Sequence, residues 1–309
     1  MIISILMANY NHGFFLDNAI SQILLQTYQN WELIIVDDAS TDNSVEIINS
    51  FSKIDSRIKP IYLEKNVGAL NAIRIAEGNC AGQLIFGVAA DDYIHDQYFF
   101  ENAILAFEKY PKISGYFSKT ILINGISEIS ISEMGHSLIE GYINQTEFKE
   151  LFFNNLIFIP GSSSIWRKID FDKFGGFNNE LGAQIDYFIN HTLPMYGGVY
   201  FHNKNVYKMR SFENSLSRQQ NKNNTIKYFL QIIQIQSKYG LFYKIDLNQI
   251  KKWFFLNTSS NLSKNEILNF INESNIQKSN YKTLIQIYFT KTKIFYLRIY
   301  RKISKILEL

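Results

Sequence analysis

The chain has 309 residues, enough for one full α/β domain and a smaller appendage. Its single cysteine, Cys80, excludes an internal disulfide, and no apolar run reaches the roughly 18 residues that a membrane span needs. The net charge of +3 excludes no class of partner by itself. The N-terminus lacks the basic segment of a signal peptide. We therefore expect a cytoplasmic globular protein. We also expect no nucleic acid among its partners.

Strands and helices alternate over the first 110 residues of the sequence. The predicted strands are Ile2 to Met7, Trp31 to Val36, Ile58 to Leu63 and Leu84 to Val88. The predicted helices are Phe15 to Gln26, Asn43 to Lys53, Ala69 to Ala76 and Gln97 to Tyr110. In the last helix the apolar residues on one face are Phe99, Ala103, Ala106 and Phe107. The alternation predicts a mostly parallel sheet with helices on both faces.

The pattern changes after Pro111. A further strand is predicted over 113–123, and residues 124–145 are expected to be irregular. A short helix (147–156), a strand (162–166) and a helix that begins near residue 186 are predicted next. The polar segment 217–224 is the predicted boundary between a domain of residues 1–217 and a helical C-terminal region, 218–309.

Acidic side chains follow two of the buried strands. The second strand runs directly into Asp37 and Asp38, and the fourth runs into Asp91 and Asp92. Ligands of parallel sheets bind beyond the carboxyl ends of the strands. Paired carboxylates are costly there unless they bind a ligand or a cation. The alternative is that both pairs are solvated turn residues that cap the helices after them.

The first turn between strand and helix, NYNHGFF, contains one glycine and no GxGxxG motif. The chain has no GxxxxGK[ST] motif either. A loop that binds phosphates through its backbone is therefore not expected. The phosphates of a nucleotide would depend on a metal ion instead, and Mg²⁺ or Mn²⁺ suits oxygen ligands of this kind.

Four segments occur in the order and spacing of a known family: SILMANYN, QTYQNWELIIVDDASTDNS, KNVGALNAI and AADDYI. Over about residues 1–217 this set resembles the family 2 glycosyltransferases of the GT-A fold. The resemblance implies an inverting enzyme that uses a nucleotide-diphosphate sugar, expected to be a UDP-sugar, with Mg²⁺ or Mn²⁺ as cofactor. The implied acceptor is a hydroxyl of a glycan or a lipid-linked sugar in surface polysaccharide biosynthesis.

The resemblance also implies roles for single residues in donor binding. Asn9 and Tyr10 would line the base pocket, with Tyr10 stacked on the base, and Asp38 would accept a hydrogen bond from uracil. Asp92 would hold the metal ion, and Asp91 would contact the ribose or share the metal. Further donor-binding positions come from the same motifs: Ala8, Asn66, Gly68 and Asn71.

Asp186 is the implied general base, because an inverting transfer needs a carboxylate opposite the leaving diphosphate. The alternative is an ordinary first-turn carboxylate that the helix dipole favours. Arg210 lies in a segment, residues 207–217, that resembles the closing loop of the family. This arginine would neutralise the diphosphate, and the alternative is a solvated surface arginine.

Three positions depart from the family's usual pattern. Ala89 stands where many members have an acid, Ile185 replaces a glutamate, and Phe212 replaces a histidine. The departures leave open a degenerate glycosyltransferase that acts as a binding partner. A sugar nucleotidyltransferase is the other alternative, although such enzymes usually begin with a glycine-rich loop and a lysine, which this first turn lacks.

The C-terminal segment 282–309 is strongly basic. Its seven lysines and arginines stand against a single acid, Glu308. At helical spacing Phe295, Ile299 and Ile303 form an apolar stripe beside this charge. The pattern predicts a helix that contacts an anionic membrane surface, which would make the protein peripheral on the inner face of the membrane. The alternative is a helix docked on protein.

Overall fold

A computed structural model describes residues 1–125, 127, 129–134, 140–154, 156–157 and 159–212, together with residues 232, 235, 236, 239 and 241. The chain divides into two compact units, Met1–Tyr243 and Lys244–Leu309, and the features below belong to the first. The predicted boundary at 217–224 and the basic segment 282–309 lie outside the described residues. No helix in the described part of the chain has the length and hydropathy that crossing a membrane requires.

The described part of the chain contains one mixed sheet and helices packed on it. The strands are β1 Ile3–Asn9, β2 Trp31–Asp37, β3 Ile58–Tyr62, β4 Leu84–Ala89, β5 Tyr93–Ile94, β6 Gly115–Asn124, β7 Ser130–Met134, β8 Gly141–Ile143, β9 Ser164–Arg167 and β10 Val199–Ser211. The α-helices are α1 Gly13–Leu24, α2 Ser44–Ile54, α3 Ala69–Gly78, α4 Phe99–Lys109, α5 Gln145–Phe153, α6 Lys168–Lys173 and α7 Ile185–Gly197.

The strand order of the sheet is β3-β2-β1-β4-β9-β6-β10-β5, with β7 beside β6 and β8 beside β10. The strands β1 to β4 are parallel to one another, whereas β9 runs antiparallel to both β4 and β6. The register pairs Asn9 with Asp37, and Ala8 with Ala89. The carboxyl ends of β1, β2 and β4 therefore share one edge, and the predicted parallel α/β sheet is confirmed.

Helices cover both faces of the sheet, as predicted. One face holds a core to which α1, α2 and α4 contribute, and α4 buries all four of its predicted inward residues. Successive strand residues point to opposite faces, so Phe86 belongs to this core while Ile85 and Gly87 face the other layer. That second layer consists of α3, α6 and α7. Burial on both faces explains why β1, β2 and β4 read as continuous apolar runs.

Two predictions about the second half of the domain are wrong. The segment 124–145, expected to be irregular, contains β7 and β8. Residues 207–211 of the predicted closing loop are the end of β10, paired in parallel with β6. The register of β10 shifts on both sides of Asn205, so Asn203 and Lys204 are bulged before it and Val206 after it. The polar run from Asn203 to Asn205 interrupts the apolar pattern and conceals the strand in the sequence.

Candidate active site

The turn after β2 is fixed by a buried carboxylate. Asp37 accepts hydrogen bonds from Asn9 Nδ2 at 2.7 Å, from the Ser40 amide at 2.9 Å and from Ser40 Oγ at 2.7 Å. Ala39 between them adopts a left-handed φ of 62°. Asp37 therefore ties the ends of β1 and β2 together, and its oxygens are used within the protein.

The second acid of the pair, Asp38, holds the start of α3. Its Oδ1 accepts the Val67 amide at 2.7 Å and its Oδ2 accepts the Gly68 amide at 2.8 Å. Gly68 has a φ of 87°, a conformation that favours glycine, and it forms the N-cap of α3. Asn66 Oδ1 also accepts the Gly68 amide, at 3.1 Å. Three predicted donor-binding positions therefore lie together at one strand end.

The far end of α3 is fixed as well. Glu77 Oε2 accepts the Phe177 amide at 3.2 Å. Gly176 has a φ of 58°, a conformation that favours glycine, and a Cβ there would lie 1.9 Å from Glu77 Oε1. Burial raises the pKa of Glu77. The turn before the 3-10 helix Asn179–Gln184 is thus anchored to α3.

Tyr10 follows the first strand and leaves 44% of its surface exposed. The neighbouring Asn9 is buried, and its Nδ2 is directed to Asp37. The exposed ring lies at the same sheet edge as Asp38. This arrangement fits the predicted base pocket in its position, with Tyr10 on the outside and Asp38 beneath.

Asp92 lies between β4 and β5 and is only 5% exposed. Its Oδ1 accepts the Arg210 amide at 2.7 Å. Burial, followed by the charge of Asp91, raises the pKa of the Asp92 carboxyl well above its usual range. The Arg210 amide and charge and the Tyr207 hydroxyl oppose that rise. A buried carboxylate of this kind gains much from a cation placed beside it.

Arg210 braces the turn that carries both acids. Its Nε donates to the Asp91 carbonyl at 2.7 Å and its Nη1 donates to the Gly125 carbonyl at 2.9 Å. The guanidinium carbon also lies 4.9 Å from the centre of the Phe15 ring. Because Arg210 is 9% exposed, the alternative of a solvated surface arginine is wrong. Its predicted contact with a diphosphate stays a prediction.

Asp186 stands in the first turn of α7. Its side chain borders a cavity and the residue is exposed, while desolvation by the surrounding protein raises the pKa of its carboxyl. A Cβ on Gly161 would lie 3.2 Å from Asp186 Cβ and 3.3 Å from Oδ2, so Gly161 provides the space in which this carboxylate sits. A carboxylate of raised pKa is a stronger base than an ordinary aspartate.

One cavity of about 810 Å³ is bordered by both Asp92 and Asp186. The predicted site residues that line it are Asp92, Asp186, Ala8, Gly68 and Asn71. The predicted residues outside its lining are Asn9, Tyr10, Asp38, Asn66, Asp91 and Arg210. The cavity therefore places the candidate metal ligand and the candidate base on one continuous surface.

Two lining residues were missed by sequence reasoning. Tyr207 is fully buried, and it lines the cavity together with Asp92. Gly161 makes room for Asp186. The sequence predicts a loop at Tyr207, where the structure has a strand, and no local pattern marks Gly161.

The described residues contain no cluster of three or more histidine, cysteine, aspartate or glutamate side chains that would hold a metal by itself. A divalent ion at Asp92 would therefore need oxygen ligands from the substrate or from water. Mg²⁺ and Mn²⁺ accept such mixed coordination. The buried, desolvated carboxylate of Asp92 fits an ion of this class.

Comparison with solved structures supports the fold. The structure resembles S. aureus TarS in complex with UDP, with a TM-score of 0.64 and 15% identity over 92% of this chain and 78% of TarS. It also resembles the mannosyltransferase PcManGT from Pyrobaculum calidifontis in complex with GDP-Man and Mn²⁺. That TM-score is 0.53, with 12% identity over 96% of this chain and 86% of PcManGT. The GT-A fold expected from the sequence is thereby confirmed.

Sequence comparison identifies the family. The chain is 34% identical over 152 residues to the Escherichia coli UDP-Glc:alpha-D-GlcNAc-diphosphoundecaprenol beta-1,3-glucosyltransferase WfaP, covering 46% of this chain and 57% of WfaP. Its matches span about a third of the length of several other curated relatives, 28–37%. The family model described as Glycosyl transferase family 2 matches residues 4–172, which is more than half of the chain. The chain therefore belongs to glycosyl transferase family 2.

Proposed function

We propose that this protein transfers a sugar from a UDP-sugar, with inversion, to a hydroxyl of a lipid-linked or glycan acceptor in surface polysaccharide biosynthesis. The observation that carries the proposal is the single cavity bordered by both Asp92 and Asp186. A diphosphate at Asp92 and a base at Asp186 are the two groups that an inverting transfer must hold on opposite sides of one sugar.

In the proposed reaction the acceptor oxygen attacks the anomeric carbon of the donor sugar. The bond from that carbon to the diphosphate oxygen breaks, and UDP leaves with the bonding electron pair. The proton of the acceptor hydroxyl passes to the Asp186 carboxylate. Because desolvation raises the pKa of Asp186, the carboxylate takes this proton more readily than a solvated aspartate would.

The leaving diphosphate needs positive charge near Asp92. A bound Mg²⁺ or Mn²⁺, held by Asp92 with Asp91 close by, would supply that charge. Arg210 keeps the acidic turn in place through the Asp91 carbonyl and the Asp92 carboxylate. The Mn²⁺ in the PcManGT complex supports a divalent ion in an enzyme of this fold.

Uracil is the proposed base. Tyr10 offers an exposed ring for stacking, and the buried carboxylate of Asp38 lies at the same edge of the sheet. Each Asp38 oxygen already accepts one backbone amide, but a carboxylate has about four acceptor positions, so an imide N–H can still be accepted. TarS was solved with UDP and PcManGT with GDP-Man, so the fold alone does not choose the base.

The acceptor proposal draws on the relatives. The name of WfaP specifies a sugar linked to diphosphoundecaprenol. A nucleotidyltransferase is disfavoured by the family match. The degenerate alternative differs in a measurable way, because a partner protein would bind UDP without releasing it from any UDP-sugar.

Thermal unfolding of the full chain with UDP, with GDP and with or without Mn²⁺ tests the donor proposal. UDP with Mn²⁺ should raise Tm, since a ligand at about 100 times its Kd stabilises the folded state by about 2.7 kcal/mol. GDP should raise Tm less. Asp38→Asn should reduce the shift with UDP, whereas Asp17→Asn, an exposed acid on α1, should not.

Equal shifts with UDP and GDP would show that the uracil reading is wrong. No shift with any nucleotide would contradict donor binding altogether. Binding without release of UDP from a panel of UDP-sugars and acceptors would favour the degenerate alternative.

The proposed peripheral location rests on the sequence of residues 282–309. Seven basic side chains beside an apolar stripe suit anionic lipid, where each charge contributes about 1 kcal/mol. In liposome flotation the full chain should rise with anionic vesicles, and a chain truncated after Asn280 should rise less. Equal recovery of the two proteins would remove the membrane proposal.

A further inference from the structure

One part of the cavity lining differs in chemistry from the rest. The carboxylates of Asp92 and Asp186 belong to the polar part of the lining. The apolar part, which we call the apolar chamber, is formed mainly by residues of the sheet and of the helices α6 and α7. It is lined by Ile85, Gly87, Trp166, Phe171, Phe177 and Ile189. The aliphatic and aromatic side chains of the chamber are otherwise almost fully buried.

Polar side chains at the border of the chamber bond to the protein itself. Ser164 Oγ donates to Asn190 Oδ1 at 3.2 Å, and Asn190 Nδ2 donates to the Ile159 carbonyl at 3.4 Å. Ser162 Oγ and Thr120 Oγ1 form a hydrogen bond of 3.2 Å. A sugar hydroxyl placed in the chamber would lose water and meet mainly carbon, which is unfavourable.

Gly87 keeps the chamber open. It lies in the interior of β4, a central strand, where glycine is unfavourable because it packs no side chain. A Cβ at this position would meet only the Phe177 ring, at 3.5 Å, which is ordinary van der Waals contact. A larger residue would therefore fit and would fill space that is now empty. Glycine in such a strand is typical of a place that a ligand approaches closely.

We infer that the apolar chamber is a donor subsite for a methyl-bearing substituent, either the acetamido group of an N-acetylated sugar or the methyl carbon of a 6-deoxy sugar. The inference rests on the proposed function. It assigns the substituent to the donor because the same cavity is lined by Gly68, Asn71 and Asp92, the predicted donor-binding residues. A methyl group gains from burial against carbon, whereas the corresponding hydroxyl loses its hydrogen bonds there.

Calorimetric titration with four ligands tests the inference on the full chain with Mn²⁺. The ligands are UDP, UDP-glucose, UDP-N-acetylglucosamine and UDP-6-deoxyglucose. UDP-glucose has a hydroxyl at both positions, so it is the reference for each methyl-bearing donor. One of these two donors should bind about 10-fold or more tightly than UDP-glucose, the scale of a well-fitted apolar group. Which of them does so distinguishes the two sources of the methyl group.

Two glycine-to-alanine variants distinguish an effect of filling the chamber from a general effect of the substitution. Gly87→Ala should reduce the preference for the methyl-bearing donor several-fold, leave UDP binding unchanged and not lower Tm. Gly78→Ala makes the same chemical change at the end of α3, where an added Cβ meets nothing within 4 Å, so the preference should persist. In both variants alanine replaces glycine, whose backbone has more conformational freedom, so this entropic effect on stability is common to the two.

Equal affinity for the three UDP-sugars, alongside clear binding of UDP, would overturn the chamber assignment and leave the proposed function intact. An undiminished preference in Gly87→Ala would overturn it as well. No binding of UDP would instead overturn the proposed function, and the chamber assignment with it.

Discussion

Asp186→Asn should lower kcat by roughly two to four orders of magnitude while the Kd of the nucleotide sugar changes little. Asparagine has nearly the same shape as aspartate, so it fits the space that Gly161 leaves beside residue 186. It cannot take a proton from the acceptor hydroxyl. Single-turnover kinetics, with donor affinity measured separately, would separate the chemical step from binding.

A matched control exists on the neighbouring helix. Asp170 is also a first-turn carboxylate, on α6, and it does not line the cavity. Asp170→Asn should leave kcat within about twofold, since surface substitutions usually act weakly. If both variants kept full activity, Asp186 would be an ordinary dipole-stabilising carboxylate and the base would lie elsewhere.

The Asp186 carboxyl also predicts how the reaction rate depends on pH. Desolvation raises the pKa of Asp186 in the folded protein, and the base acts only when it is ionised. The rate should therefore fall as the pH drops through that raised pKa, above the value of about 3.9 for a free aspartate. Asp186→Asn should lose this acid limb. An unchanged acid limb in the variant would assign the titration to another group.

Asp92→Asn should reduce turnover by roughly two to three orders of magnitude or more and remove the effect of Mn²⁺ on UDP affinity. The amide oxygen of asparagine can still accept the Arg210 amide, so the turn should remain in place. The negative charge that would hold the ion is lost. Because burial already disfavours that charge, Asp92→Asn without metal should not have a lower Tm than the native chain.

Asp91→Asn is the adjacent control. The Asp91 carbonyl, which Arg210 binds, belongs to the backbone and is unaffected by the change. Asp91→Asn should therefore keep the turn in place, and its response to Mn²⁺ in the titration of UDP shows whether Asp91 shares the metal or contacts the ribose. Full activity of the native chain in EDTA, or a persistent response to Mn²⁺ in Asp92→Asn, would contradict the assignment of Asp92 to the metal.

The parallel half of the fold could be read from the sequence because its strands are buried on both faces. The predicted strands and helices of the first 110 residues are all present, with ends shifted by no more than two residues. The second half of the domain was harder to read, because β8 has three residues and β10 carries a polar bulge. Short or interrupted strands leave too little alternation to recognise.

The candidate site, too, could be predicted only in part from the sequence. Asp92 and Asp186 could be proposed from motifs, and the structure places both on one cavity. The different contacts of Asp37 and Asp38 could not be foreseen, because they depend on the left-handed turn at Ala39. The contacts of Arg210 depend on pairing between β10 and β6, far apart in sequence. No local sequence pattern predicts the register between strands that lie so far apart in the chain.

Hydrogen bonds at both ends of α3 connect the end of β2 with the turn at Phe177. The ten residues of this helix span about 15 Å, from the amides bound by Asp38 to the carboxylate of Glu77 that holds the Phe177 turn. One helix therefore fixes the positions of two loops that are far apart in sequence, the segment after β3 and the turn at Phe177. A substitution that removes the carboxylate of Asp38 or of Glu77 would release one end of this helix and leave the other end held.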